Sequence, residues 1–172
     1  MRETCLEFEE SKKQKINKSL IEFIRSNSFC LSEIGKRSTN NNTKIQLTDF
    51  CSRQFGTVGH EVLHALGVGH EQQRSDRNKY VKINDNNIKS GYERNFKKHD
   101  NYNWMSFEIP YDYASIMHYK KNALSKNGKN TLKAKNIELF NDMMGHESVF
   151  SFNDIKLINY YYCRNECSFS KM

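Results

Sequence analysis

The sequence predicts an α+β fold in one domain spanning residues 1–172, and three observations carry that prediction. Leu20-Ile21-Glu22-Phe23-Ile24 and Ile45-Gln46-Leu47 are short apolar runs rich in β-branched residues, which reads as sheet. A helix is expected to open near Thr57, whose hydroxyl can cap it, and to close at Gly67. A second helix is expected from Phe152 to Tyr162, started by Asn153 or Asp154, with Ile155, Ile158 and Tyr162 at core-packing intervals. At 172 residues the chain is long enough for one domain with a sizeable core.

The first helix carries the chemistry. His60 and His64 are four residues apart, so their imidazoles stand on one helix face and can reach one ion. Glu61 lies beside the first of them, placed to touch water on that ion. Gly67 supplies the backbone freedom to leave the helix through a left-handed turn, which swings His70 back as a third ligand. Three neutral imidazoles with a fourth position left to water suit one Zn²⁺, which lowers the pKa of that water to about 7. Glu61 would then take a proton from the water and hand it to a leaving amine. Two histidines and a glutamate could decorate a solvated helix face by chance, but Gly67 and His70 at these intervals argue for a metal site.

The stretch from His60 to His70 resembles the zinc motif of the metzincin metalloproteases, and the run Glu71-Gln72-Gln73-Arg74-Ser75-Asp76-Arg77 resembles the astacin branch. Ser115-Ile116-Met117-His118-Tyr119 is similar to the astacin Met-turn, and the resemblance runs from about Thr4 to the carboxyl end. It implies a two-lobed, zincin-like fold. A twisted mixed sheet and the zinc helix would form an N-terminal lobe over about 1–70. A mostly irregular C-terminal lobe with a terminal helix would follow over about 71–172.

By the same resemblance Met117 packs beneath the three histidines. Tyr119 is an additional metal ligand that swings away to stabilise the tetrahedral intermediate, and Glu71 meets the buried ammonium of the mature amino terminus. Ile45 to Leu47 resembles the edge strand that binds an extended peptide substrate by strand addition, although asparagines stand where paired glycines usually precede it. Ile83-Asn84-Asp85-Asn86-Asn87-Ile88 resembles a further family segment, with a short helix expected through Phe96. Cys30 pairs with Cys51, and Cys5 with Cys167 or Cys163. Thr4-Cys5-Leu6-Glu7-Phe8 resembles a segment that follows a first strand and a long helix, so the domain is expected to be truncated at its amino end.

The resemblance therefore implies a secreted, monomeric zinc endopeptidase with Glu61 and Tyr119 catalytic and a protein or peptide as substrate. A secreted binding protein that keeps zinc silently is the alternative, against which Glu61 argues, since a structural zinc has no use for a base. An iron site is disfavoured by the all-histidine ligand set.

Composition agrees with these readings. Five cysteines point to an oxidising compartment, although no signal peptide opens the chain. No apolar run is long enough to span a membrane. The net charge of +7 invites a nucleic-acid reading, but no binding module accompanies the dispersed lysines. Residues 120–135 hold six lysines and no acid, which by electrostatic attraction would favour acidic residues just after the cleaved bond. His99 and His146 read as surface residues, and His118 as turned away from the metal. Arg74, Asp76 and Arg77 read as supporting ion pairs. Asn17-Lys18-Ser19 and Asn41-Asn42-Thr43 are glycosylation sequons consistent with secretion.

Overall fold

A computed structural model describes residues 3–11, 20–36, 42–99 and 109–164. The lysine-rich turn at 12–18, the sequon asparagines Asn17 and Asn41, and Cys167 lie outside them.

Three strands form the first sheet: β1 (Ile21–Arg25), β2 (Leu31–Ser32) and β3 (Thr43–Leu47), in the order β1-β3-β2. β1 runs parallel to β3 with Ile21 opposite Thr43, and β2 runs antiparallel to it with Leu31 opposite Gln46. The segment expected at the sheet edge, Ile45 to Leu47, is therefore its centre, and β1 and the two-residue β2 are the outer strands among the described residues. Burial explains the arrangement. Thr43, Ile45 and Leu47 alternate inward along β3, and Ile45, at 0% exposure, packs with Leu47, Ala65, Val58 and Val62. Covering such a side chain is worth about 2–3 kcal/mol, and that fixes the register.

The packing partner is α1 (Phe55–Ala65), which starts two residues before Thr57 and has no side-chain cap. Thr57 is thus inside the first turn. Contact with residues 147–150 helps place this helix. A Cβ on Gly56 would lie 1.4 Å from the Glu147 carbonyl oxygen, and one on Gly59 would meet the Phe150 ring at 2.6 Å. At its other end the helix closes in a Schellman motif, with Val68 N–H donating to Leu63 O at 2.9 Å and Gly67 N–H to His64 O at 2.8 Å. Gly67 adopts φ +100°, as the exit from the helix requires.

Beyond His70 regular structure is sparse. Single 3₁₀ turns occupy Glu71–Gln73, Arg77–Lys79, Asp85–Asn87 and Glu93–Phe96, the last standing where a short helix is expected. β4 (Val81–Ile83) pairs antiparallel with β5 (Leu132–Ala134), and α2 (Phe140–Met143) follows. Val81, Ile88, Phe96, Tyr111, Tyr113, Leu132, Ala134 and Met144 make the core here. Leu63, Val68, Ile116, Met117 and Ile158 form a separate cluster joining α1 to the last helix, α3 (Phe152–Tyr162). Ser151, not Asn153, caps α3 in a reciprocal capping box with Asp154. Tyr162 is 46% exposed rather than a core residue, and its hydroxyl donates to the Leu66 carbonyl at 2.7 Å.

Disulfides join Cys30 to Cys51 and Cys5 to Cys163. Cys163, and not Cys167, is thus the partner of Cys5. It ends α3 with 0% exposure, so the helix presents it to the amino-terminal segment at a Cα separation of 5.6 Å.

Candidate metal centre

α1 sets His60 and His64 on one face, and the Schellman turn returns His70 to them. One nitrogen from each ring lies within 4.8 Å of the other two, and His64 Nε2 is 3.3 Å from His70 Nε2. Each remaining ring nitrogen is engaged. His60 Nδ1–H donates to Ile116 O at 2.8 Å, His64 Nδ1–H to Val68 O at 2.7 Å, and His70 Nδ1–H to Gln73 Oε1 at 3.2 Å. Because these oxygens only accept, the protons sit on Nδ1 and the three Nε2 lone pairs converge. Burial lowers the pKa of all three rings, that of His64 to about 3, so they are neutral at physiological pH. Three neutral, convergent, outer-bonded imidazoles fit Zn²⁺.

Glu61 is buried on the same helix, and burial pushes its carboxyl up to about 7 despite the Ser32 amide of β2 beside it. Its Oε2 is buried with no partner among the described residues. Met117, 1% exposed, packs with Leu63, Val68, Ile116 and Ile158, and its neighbour Ile116 supplies the carbonyl that holds His60.

Tyr119 packs edge-on against His70 at 4.5 Å between ring centres and against Phe96 at 5.9 Å. Its N–H donates to Gln72 Oε1 at 3.2 Å, and its hydroxyl oxygen accepts from Asn95 Nδ2 at 3.3 Å. Burial, reinforced by the charge of Glu61, raises its pKa, so the phenol is neutral. His118 turns elsewhere, accepting from the Tyr111 hydroxyl at 2.8 Å, and burial lowers its pKa to about 4.

Glu71 lies against Arg74. The guanidinium donates to Glu71 Oε1 at 3.0 Å and to both oxygens of Asp76 at 2.9 Å, while the Asp112 amide donates to Glu71 at 2.8 Å. Arg77 also bonds to backbone. It donates to the carbonyls of Gln72 and Phe96, joining the turn after His70 to the turn that carries Asn95.

Four further groups, not singled out from the sequence as site residues, support the centre. Asp154 accepts from Ser115 Oγ at 2.6 Å, from Ile116 N at 3.1 Å and from Ser151 N at 2.9 Å, fixing the Met-turn to α3. Its Ser-x-x-Asp spacing from Ser151 is a readable capping signal. Gln72, Gln73 and Asn95 act through contacts that carry no comparable pattern. In the basic stretch, Lys120 pairs with Glu147 at 3.3 Å and Lys121 with Asp142 at 2.7 Å, so part of its charge is neutralised.

Comparison with known proteins bears on this geometry. The profile of the peptidase family described as Astacin matches residues 1–163. Zinc metalloproteinase dpy-31 of Haemonchus contortus is 36% identical over 139 residues, covering 81% of this chain and 25% of that protein. Meprin A subunit beta of Homo sapiens is 41% identical over 143 residues, covering 83% of this chain and 20% of its own length. The chain thus spans a quarter or less of these relatives. Among solved structures, high choriolytic enzyme 1, a hatching enzyme zinc-protease from the medaka fish Oryzias latipes, superposes with a TM-score of 0.80 at 34% identity, over 94% of this chain and 76% of that one.

Proposed function

Since the chain belongs to the astacin family of zinc-dependent metallopeptidases and has their α+β fold, we propose that it is the peptide-cleaving domain of a secreted endopeptidase with Glu61 as general base. One observation carries the reading. A buried carboxylate, one of whose oxygens has no partner among the described residues, lies on the helix that carries two of the three convergent imidazoles.

His60, His64 and His70 would hold Zn²⁺, which supplies the Lewis acidity that makes water nucleophilic near neutrality and polarises the scissile carbonyl. Glu61 takes the proton of the attacking water and returns it to the leaving amine. Its raised proton affinity brings both transfers within reach at neutral pH. Tyr119, neutral and beside His70, donates its phenolic hydrogen to the developing oxyanion. A peptide substrate adds as a strand to β2, which is the outer strand next to Glu61. The two disulfides support an oxidising destination. We place the substrate cleft between a lobe of about residues 1–70 and a lobe of about residues 71–172. Lysines of 120–135 add a modest preference for acidic residues after the cleaved bond, moderated by Glu147 and Asp142.

Hydrolysis of casein by the zinc-loaded protein tests the reading. Cleavage should vanish on chelation, return with zinc, and fall by about 10²–10⁴-fold in Glu61→Ala. One equivalent of bound zinc with no cleavage would favour a silent binding protein instead.

A further inference from the structure

The mechanism asks the Tyr119 hydroxyl to give its hydrogen to the oxyanion, and the structure bears on where that hydrogen points. A phenol has one hydrogen and two lone pairs. Asn95 Nδ2 donates into one of those lone pairs at 3.3 Å, which leaves the hydrogen no use on the Asn95 side. The other direction is the metal side, where the ring lies edge-on to His70 and feels the charge of Glu61. Were the amide turned over, its carbonyl would accept the phenolic hydrogen and withhold it from the reaction.

The placement of Asn95 is built into the fold. Asn95 belongs to the 3₁₀ turn Glu93–Phe96, and the next residue, Phe96, is buried with its ring edge-on to Tyr119. Arg77 donates to Phe96 O and also to Gln72 O, while the Gln72 side chain accepts from Tyr119 N–H. One guanidinium therefore ties together the turn that presents Asn95 and the residue that holds the Tyr119 backbone. A contact between chance surface neighbours would have no such framework.

We propose that Asn95 is a positioning residue for peptide hydrolysis, whose amide N–H fixes the rotor of the Tyr119 hydroxyl so that its hydrogen faces the substrate oxyanion. This rests on reading Tyr119 as the oxyanion donor. Asn95 acts through its contact with the Tyr119 hydroxyl.

The test is a double-mutant cycle on the zinc-loaded protein with Asn95→Ala, Asn95→Asp, Tyr119→Phe and Tyr119→Phe with Asn95→Ala. Zinc content and urea midpoints are measured alongside. Tyr119→Phe should lower kcat by about 10²-fold, as loss of one oxyanion donor does. Asn95→Ala should lower kcat by about 5–10-fold with KM unchanged, the value of one oriented hydrogen bond. Asn95→Asp, nearly isosteric but able only to accept when ionised, should fall below Asn95→Ala because it captures the phenolic hydrogen. In the Tyr119→Phe background, Asn95→Ala should cost nothing more.

Binding supplies a readout independent of turnover. Asn95→Ala should weaken a phosphinic peptide, which mimics the tetrahedral state, by the same 5–10-fold, and leave a product peptide unaffected. If the two single losses multiply in the double variant, or if phosphinic and product peptides weaken alike, Asn95 does not act through Tyr119 and the proposal is overturned while Tyr119 keeps its role. If Tyr119→Phe retains full kcat, the oxyanion reading fails and takes this proposal with it.

Discussion

Between Ile21 and Ala65, side chains are placed by repetitive backbone. Three strands and one helix set the positions of His60, Glu61 and His64, and the packing is apolar, centred on Ile45. Between Glu71 and Met144, the same site is built largely from single turns held by buried polar groups: Gln72, Gln73, Arg74 and Arg77. Regular structure satisfies its own hydrogen bonds, so its interior can be hydrocarbon. Irregular backbone must find partners elsewhere, and guanidinium and amide side chains provide them here. The first region should therefore answer mainly to lost volume, and the second, which has an apolar core of its own, to lost hydrogen bonds as well.

Zinc removal should separate the two most strongly. At free zinc a thousandfold above its Kd, binding adds about 4 kcal/mol to stability, which chelation withdraws. Hydrogen exchange should then speed up in residues 71–99 while β1, β3 and α1 retain protection. Equal loss in both regions would erase the distinction. Ile45→Ala comes next, with about 3 kcal/mol lost in urea unfolding and one zinc still bound, because the cavity it leaves is lined by Leu47, Val58, Val62 and Ala65, none of them a ligand. Asp154→Asn should cost about 2 kcal/mol by the same measurement. Unlike Ile45→Ala, it should also weaken zinc affinity by about 10-fold in a competition titration, since Asp154 steadies Ile116 and Ile116 holds His60. Smallest is Gly67→Ala, about 1–2 kcal/mol by calorimetry, the strain of a side chain at φ +100°.

The same division explains what can be read from the sequence. His60, Glu61, His64, Gly67 and His70 act at short range, and helix spacing together with the turn at Gly67 brings them together. β1 and α3 are visible because each has enough residues to show a pattern. β2 has two residues and therefore no period, so the sequence points to β3 as the sheet edge when β3 is its centre. The start of α1 is displaced from the sequence expectation because contact with residues 147–150, rather than a cap at Thr57, accompanies it. Asp154, Gln72 and Asn95 reach partners 38, 47 and 24 residues away, which no local rule encodes. The choice between Cys163 and Cys167 depends on which face of α3 meets the amino-terminal segment.

The attachment of Asp154 to the Met-turn has a consequence for how the chain is made. All three histidines have left the ribosome long before residue 154, yet the carbonyl that holds His60 is secured only when α3 docks. The clasp from Cys5 to Cys163 closes across 158 residues. At about 5–20 residues per second, the ligands wait several seconds for the rest of their support. Maturation of the metal centre is thus coupled to near-completion of the domain, and a growing chain carries the motif before it carries the finished site.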